Sequence, residues 1–233
     1  MSILTRQCSL DRRPWPQRVA TAAARPLTRY LSGQAAHPHG FGGPLIGRLW
    51  VKETARVNDV ALDLLAPTPG EDILEIGFGP GRTIGLLAER GARVIGVDVA
   101  DAMLRLATRR NVELVRRGTI RLHRTDGVAL PLDDDSVDAV LSVHNAYFWP
   151  EPEITIAEIG RVLRPGGRVL LVFRGSEHQL PRRLDRAVYR DVTTSQCVDW
   201  LTGAGFVNVL SHRPDGVPAE VSLVLALRSS TAI

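Results

Sequence analysis

The chain of 233 residues is long enough for one compact domain with a sizeable core, and its 44% hydrophobic and 23% charged residues are ordinary for a globular protein. A formal net charge of only +4 and 5% aromatic residues argue against the basic, aromatic-rich stripe of a nucleic-acid binder. No apolar run approaches the roughly 20 residues that span a bilayer. Cys8 and Cys197 form no CxxC pair, which indicates neither a disulfide framework nor a zinc site and predicts a reducing, cytoplasmic location.

The first 52 residues are rich in Arg, Ala, Pro and Gly and carry only a weak helical pattern. The run from His37 to Pro44, HPHGFGGP, is expected to be irregular, because proline and glycine interrupt helices and strands. Two interpretations stay open for this segment: a mobile N-terminal arm, or a lid that orders over a substrate. A helix is predicted from Glu53 until Pro67 ends it, since apolar residues recur at helical spacing: Val57, Val60, Ala61 and Leu64.

The stretch from Asp72 to Thr83, DILEIGFGPGRT, is the feature around which the rest of the chain is organised. It predicts a buried strand with Glu75 near its end, then a glycine-rich turn, then a helix. Glycine adopts positive φ and has no side chain, so a ligand can approach the backbone closely. The helix that follows directs free N–H groups and its positive dipole end at the ligand. The unit indicates a nucleotide-type cofactor site at the carboxyl end of a parallel sheet, with glycines at Gly77, Gly79 and Gly81.

Two further strands are predicted to end in carboxylates. The strand over 92–99 ends at Asp98, about 20 positions after the first glycine, the spacing at which an acidic side chain meets a ribose. Asp101 is placed to cap the next helix, in which Met103 suits either an aromatic base or plain core packing. The strand over 119–123 leads to Asp126, whose carboxylate can accept a hydrogen bond from an adenine amino group.

The fourth predicted strand, Val137 to Val143, is followed by polar and aromatic residues, where chemistry is expected in an open α/β sheet. His144 and Asn145 come first in this group. The three consecutive carboxylates at 133–135 are interpreted as an Asp-rich turn, so no metal site is predicted. The remaining elements are a helix over 151–163, the turn Arg164-Pro165-Gly166-Gly167, a strand over 168–173, a helix over 194–201, and a last antiparallel hairpin of strands over 206–211 and 221–227.

These motifs, in this order, resemble the class I S-adenosylmethionine-dependent methyltransferases. The residues that carry the resemblance are Glu75 to Gly81 (EIGFGPG), Asp98, Asp126-Gly127 and Leu163 to Gly167 (LRPGG). The most similar type is the small-molecule group that includes ubiquinone- and menaquinone-pathway C-methyltransferases. The resemblance implies an α/β fold with a Rossmann-like, doubly wound, seven-stranded sheet, mostly parallel with an antiparallel C-terminal strand and helices on both faces.

The domain organisation expected from this resemblance is an arm or lid over 1–52, a methyltransferase domain over 53–228 and a short tail over 229–233. Within the domain, a polar insertion over 175–192 is expected on the substrate side.

The resemblance also implies a cofactor site for S-adenosyl-L-methionine. The three glycines of the turn would lie along the methionine moiety, with Glu75 helping to place it, while Asp98 would hold the ribose hydroxyls and Asp126 the adenine amino group. Val99, Met103 and Gly127 would flank the base. His144 and Asn145, after the fourth strand, would face the methyl group and the acceptor. Tyr147 and Trp149 are expected to shape an apolar pocket for the acceptor.

His144 is the candidate general base, with a main-chain hydrogen bond as the alternative role. A nicotinamide or flavin dinucleotide is the rival cofactor, but its sites use GxGxxG, whereas this turn is GxGxG. A domain that binds the cofactor without transferring methyl groups is the rival function. The acceptor is expected to be a small organic molecule methylated at O, N or C, because the motifs of nucleobase, catechol and arsenic methyltransferases are missing. The oligomeric state stays open.

Overall fold

The structure is a computed structural model that describes residues 42–175, 188–214 and 217–230, with side chains from residue 54 onward. Helices and strands alternate along most of the chain. The helices are α1 (Gly42–Leu65), α2 (Arg82–Glu89), α3 (Asp101–Arg110), α4 (Val112–Arg116), α5 (Pro152–Val162) and α6 (Thr194–Gly203). The strands are β1 (Asp72–Ile76), β2 (Arg93–Asp98), β3 (Ile120–Arg124), β4 (Val137–Val143), β5 (Leu163–Arg174), β6 (Phe206–His212) and β7 (Val221–Arg228).

All seven strands form one sheet in the order β3-β2-β1-β4-β5-β7-β6. Strand β7 runs antiparallel to both of its neighbours, and the other pairs are parallel. The chain builds outward from β1 to β3, then returns to place β4 on the other side of β1. This reversal leaves a crevice at the carboxyl ends of β1 and β4, which is where ligands bind in open α/β sheets. The predicted fold class is confirmed, including the antiparallel hairpin.

Two apolar cores lie on opposite faces of the sheet, as expected for strands buried on both sides. One core joins the sheet to α5 and α6, and the other joins it to α1, α2 and α3. Successive residues of β1 alternate between the two, since Leu74 and Ile76 belong to the first core and Ile73 to the second. Glu75 therefore points to the α1–α3 face.

The direction of α1 follows from how its last residue is held. The carbonyl oxygen of Leu65 accepts a hydrogen bond of 2.7 Å from Nε of Arg168. Arg168 is the residue of β5 at which its regular pairing with β4 begins. Arg168 also forms a double hydrogen bond with Glu71, just before β1. The end of α1 thus lies at the amino edge of the sheet, and its earlier turns extend toward the carboxyl edge at about 1.5 Å per residue.

Three local expectations are corrected. Helix α1 begins at Gly42 and not at Glu53, so Pro44 lies in its first turn. A proline is tolerated there, because the backbone N–H groups of the first turn have no intrahelical partner and the missing N–H costs nothing. Strand β5 begins at Leu163, and the predicted turn over 164–167 forms an irregularity within its pairing to β4. Asp101 is the first residue of α3 and not its cap, since the N-cap is Ala100 and no side chain caps the helix.

Residues 1–41 and 176–187, which hold most of the predicted arm and insertion, lie outside the described residues, so the predicted domain organisation stays a prediction. Within the described part of the chain, no helix combines the length and the apolar character needed to cross a membrane.

Candidate cofactor and active site

The turn between β1 and α2 has the left-handed backbone that its glycines permit. The φ angles are +76° at Gly77, +54° at Gly79 and +78° at Gly81, a region that a Cβ atom makes unfavourable. The N–H of Gly77 donates to the carbonyl oxygen of Val97 at 2.8 Å, which ties the start of the turn to β2. The turn is thereby held at the carboxyl edge of the central strands.

The three glycines nevertheless serve different purposes. A Cβ atom on Gly79 would meet nothing within 4 Å, so the turn is open at this glycine. A Cβ atom on Gly77 would lie 1.5 Å from the side-chain nitrogen of Asn145, which packs on this glycine. A Cβ atom on Gly81 would lie 2.6 Å from Cβ and 2.8 Å from Cα of Ala107 in α3. Gly81 is therefore required by helix packing as well as by its φ angle.

Asn111, at the end of α3, is a residue that sequence reasoning missed. Its buried side-chain Nδ2 donates to the carbonyl oxygens of Gly81 at 2.8 Å and Ala107 at 3.0 Å. The amide thus joins the end of the glycine turn to α3. An asparagine that ends a helix is common, and nothing in the local sequence indicates that its partner lies 30 residues away.

Asp98 lies against the open glycine of the turn. Its Oδ2 accepts a hydrogen bond of 2.9 Å from the N–H of Gly79, and its Oδ1 accepts one of 2.9 Å from the N–H of Ala100. The side chain is only 8% exposed. Each carboxylate oxygen can accept more than one hydrogen bond, so this arrangement leaves capacity for vicinal hydroxyl groups. The ribose contact itself stays a prediction.

Glu75 is the most unusual ionisable group near the turn. It is 2% exposed, and its Oε2 has no hydrogen-bond partner among the described residues. Burial, followed by the negative charge of Asp98, raises the pKa of this carboxyl group to about 8. Two carboxyl groups of the site thus differ in their surroundings, since Asp98 accepts two backbone N–H groups.

The residues predicted to surround the base lie in varied environments. Asp126 is exposed, and its Oδ1 accepts a hydrogen bond of 3.0 Å from the N–H of Val128. Gly127 has a φ of +86° and is buried, and Val99 is half-buried. Met103 is 2% exposed within the α1–α3 core, where it packs as an ordinary core residue. The base contacts of all four residues stay predictions.

The Asp-rich turn at 133–135 is held by arginines. Asp134 accepts a 2.7 Å hydrogen bond from Nη1 of Arg161, and Asp135 is paired with Arg228. No group of three or more His, Cys, Asp or Glu side chains suited to a metal ion occurs in the part of the chain that the structure describes.

The chain bends sharply where β4 ends. His144 has a φ of +55°, a conformation that is uncommon for residues other than glycine. Its N–H donates to the carbonyl oxygen of Val172 at 2.7 Å, which continues the pairing of β4 with β5 by one residue. The bend directs Asn145 onto Gly77, so this residue contacts the glycine turn, while its place beside the acceptor stays a prediction. Backbone strain of this kind is often found at functional sites.

The aromatic residues after β4 are buried. Tyr147 and Trp149 belong to the α5–α6 core, and the ring of Tyr147 lies 4.7 Å from that of Phe148 and 5.1 Å from that of Tyr189. Burial raises the pKa of Tyr147 well above its usual range, which removes it as a base near neutral pH. Residues 176–187, which end two positions before Tyr189 in the chain, lie outside the described residues. The pocket role predicted for these aromatics stays a prediction.

Two buried polar atoms, on α1 and at the start of α2, were not predicted from the sequence. Nη2 of Arg82, at the start of α2, donates to Oδ1 of Asp59 in α1 at 2.7 Å, while its Nη1 is buried without a partner among the described residues. Oδ1 of Asn58 is likewise buried and has no hydrogen-bond partner among the described residues. Buried polar atoms are normally hydrogen-bonded, so a ligand or ordered water is the expected partner of these two atoms.

The sequence matches a known family over the centre of this structure. Residues 74–171 match the family model described as a methyltransferase domain. An uncharacterized methyltransferase of Mycobacterium tuberculosis is 40% identical over 136 residues, which make up 56% of this chain and 52% of the relative. An uncharacterized methyltransferase of Bacillus subtilis is 33% identical over 135 residues, 57% of this chain and 72% of the relative. A demethylmenaquinone methyltransferase of Clavibacter sepedonicus is 35% identical over 124 residues, 53% of this chain and 46% of the relative.

Solved structures share the fold at low sequence identity. The complex of the Haloferax volcanii Trm112 methyltransferase activator with a methyltransferase contains a chain with a TM-score of 0.67 and 19% identity, over 78% of this chain and 93% of that one. Phosphoethanolamine N-methyltransferase 2 of Haemonchus contortus, in complex with S-adenosyl-L-methionine, has a TM-score of 0.65 and 18% identity, over 75% of this chain and 52% of that one.

The fold and the glycine turn define a class of α/β cofactor-binding proteins, and the sequence matches decide the family within it. This chain belongs to the S-adenosylmethionine-dependent methyltransferases, as its motifs predicted. The cofactor of the family is S-adenosyl-L-methionine. The chain spans about half the length of the mycobacterial relative that it matches.

The residues around the turn fit this cofactor. Gly79 leaves the backbone open, Asp98 presents a carboxylate beside it, and Glu75 has a buried oxygen without a partner among the described residues. A carboxylate suits a pair of hydroxyl groups, and a second acid suits a ligand that carries positive charge.

Proposed function

We propose that the protein transfers a methyl group from S-adenosyl-L-methionine to a small organic acceptor, at O, N or C. The observation that carries this proposal is the constellation at the carboxyl edge: the open Gly79, the adjoining Asp98 and the buried Glu75. The rival GxGxxG dinucleotide turn is not present, and the family is that of methyltransferases.

In this proposal the protein acts mainly by alignment. The bound cofactor supplies an electrophilic methyl group on a sulfonium, and the leaving thioether is neutral. Gly79 lets the methionine end lie against the backbone, while Asp98 fixes the ribose end through its carboxylate. Holding two reactants in line is worth about 7–11 kcal/mol when it is well achieved.

His144 is proposed to face the methyl group from the acceptor side. It follows β4, on the opposite side of β1 from Asp98 at the end of β2. An imidazole has an intrinsic pKa near neutrality and can take a proton from an acceptor hydroxyl or amine. A ring carbon of an electron-rich acceptor is a further candidate target, because one relative is a demethylmenaquinone methyltransferase. A reducing compartment such as the cytoplasm stays the expected location, since the two cysteines, Cys8 and Cys197, form no CxxC pair.

The first test is calorimetric titration of S-adenosyl-L-methionine into wild type and Asp98→Ala. Hydrogen bonds to a charged group are worth about 1.5–3 kcal/mol each, so loss of two should raise Kd by about 100-fold or more. Asp63→Asn is the matched control, because this exposed carboxylate near the end of α1 is paired at 2.8 Å with Arg90 and belongs to no predicted site contact. Equal affinity of wild type and Asp98→Ala would contradict the assigned site.

The second test concerns His144. His144→Asn keeps a residue type that tolerates the left-handed backbone but removes the base. With an acceptor that must lose a proton, kcat is expected to fall about 100-fold or more, while the Kd for the cofactor stays within a few-fold of wild type. S-adenosylhomocysteine release in the presence of candidate acceptors measures turnover. Unchanged kcat would remove His144 from catalysis, and no release with any acceptor would favour the cofactor-binding module.

A further inference from the structure

Glu75 is buried on the strand that leads into the glycine turn, and its Oε2 has no hydrogen-bond partner among the described residues. It precedes Gly77 by two residues and pairs in register with Gly96 on β2 and with Leu141 on β4. The ring of Phe78 covers Gly96, because a Cβ atom there would lie 2.7 Å from the ring. The carboxyl group therefore sits among apolar neighbours, within electrostatic range of Asp98, whose Oδ2 accepts the N–H of Gly79.

The charged groups on the elements around Glu75 do not supply a counter-charge. Asp98, on β2, adds a negative charge. Arg82, on α2, is paired with Asp59 on α1. The other charged groups on this side are exposed on α1, at the end of α2 or on α3, or follow β4: Arg56, Asp63, Glu89, Arg90, Asp101, Arg105, Arg109, Arg110 and His144. Arg90 is paired with Asp63. Among the described residues, no cation contributes to the ionisation of Glu75.

An unpaired buried carboxylate is costly, so the group stays protonated until a cation arrives. Resting on the proposed function, we propose that Glu75 selects the cationic cofactor over its neutral product by ionising opposite the sulfonium. Binding then releases the proton of Glu75 to solvent. S-adenosylhomocysteine has a thioether in place of the sulfonium and does not bring this charge.

The same coupling operates in reverse after methyl transfer. The positive charge on sulfur disappears as the methyl group leaves, and the carboxylate of Glu75 again lacks a counter-charge among the described residues. It takes up one proton from solvent, which weakens the hold on the product relative to the cofactor. The pKa of about 8 in the protein without ligand means that most molecules carry this proton at pH 7.

The test is proton release on binding, measured by calorimetry at pH 7 in buffers with different ionisation enthalpies. The ligands are S-adenosyl-L-methionine, sinefungin, which carries an ammonium group in place of the methyl sulfonium, and S-adenosylhomocysteine. Wild type is expected to release close to one proton with the first two ligands and much less with the third. Glu75→Gln is expected to abolish this difference. Glu89→Gln, an exposed residue at the end of α2, is the control and is expected to behave like wild type.

A second readout is the pH dependence of affinity. The Kd of wild type for S-adenosyl-L-methionine is expected to fall about tenfold from pH 6 to pH 7, and the Kd of Glu75→Gln is expected to change much less. Titration of the amino group of the ligand is common to both proteins and cancels in the comparison.

The outcomes separate the two proposals. Equal proton release with S-adenosyl-L-methionine and S-adenosylhomocysteine would overturn the role of Glu75 in charge selection while leaving the proposed function intact. Failure of wild type to bind S-adenosyl-L-methionine at all would instead contradict the proposed function. Retained proton release in Glu75→Gln would assign the proton to another group and also overturn the inference.

Discussion

Glu75 and Asp98, on neighbouring strands, show how local surroundings decide whether a carboxyl group is ionised or protonated. Asp98 accepts two backbone N–H groups, which stabilise a carboxylate. Glu75 has an oxygen without a partner among the described residues and an apolar neighbourhood, which favour the protonated acid. The site thus holds one fixed negative charge and one acid that can become a second.

The protonation of Glu75 makes the free energy of unfolding of the protein without ligand depend on pH. Its pKa is higher in the folded protein, about 8, than its ordinary value of 4.5. Between these values the unfolded chain loses the proton and the folded protein keeps it, so the free energy of unfolding falls as pH rises. The slope is up to about 1.4 kcal/mol per pH unit.

Urea denaturation of wild type and Glu75→Gln at pH 5, 6, 7 and 8 measures this effect. The free energy of unfolding of wild type should fall relative to that of Glu75→Gln across this range, by a few kcal/mol in total, since glutamine does not titrate. Parallel pH profiles for the two proteins would show that Glu75 ionises normally in the fold.

At the scale of elements, the turn between β1 and α2 is both a binding surface and a packing joint. Gly79 faces open space, whereas Gly81 lies against the backbone of Ala107 in α3. Asn111 reinforces the joint through its hydrogen bond to the carbonyl oxygen of Gly81. The motif therefore combines an open surface at Gly79 with a packing contact at Gly81, and separate substitutions of the two glycines can distinguish them.

Gly79→Ala and Gly81→Ala form a matched pair at similar positive φ angles. The left-handed backbone costs each alanine about 1–2 kcal/mol. Gly81→Ala adds a clash with α3, so its free energy of unfolding should fall by about 1–3 kcal/mol more than that of Gly79→Ala. Gly79→Ala should instead raise the Kd for S-adenosyl-L-methionine by about tenfold or more. Urea denaturation and calorimetry give the two values, and an equal loss of stability in both variants would contradict the packing role of Gly81.

At the scale of the whole molecule, the reversal of strand order between β1 and β4 assembles the site. It brings the ends of β1, β2 and β4 to one edge, although Glu75 and His144 are far apart in the chain. Helix α1 ends at the amino edge, where Arg168 binds the carbonyl oxygen of Leu65, and its earlier part reaches the glycine turn through the pair of Asp59 with Arg82.

Much of this arrangement follows from local sequence. The strand containing Glu75, the turn with its three glycines and the helix after it were predicted together, because glycine spacing and apolar runs are local signals. The roles of the individual glycines were not separable in this way. They depend on Asn145, which follows β4, and on Ala107 in α3, and both meet the turn only in the folded chain.

The sequence by itself determined the family, the order of the elements and the positions of Glu75, Asp98 and His144 at strand ends, because these depend on residue type and spacing along the chain. The tertiary structure decided how deeply those residues are buried and which hydrogen-bond partners they have. Whether an acid has N–H donors, as Asp98 has, or apolar neighbours and an oxygen without a partner among the described residues, as Glu75 has, depends on segments brought together by the sheet. Burial and hydrogen bonding are properties of the assembled fold, and they set the charge of the site.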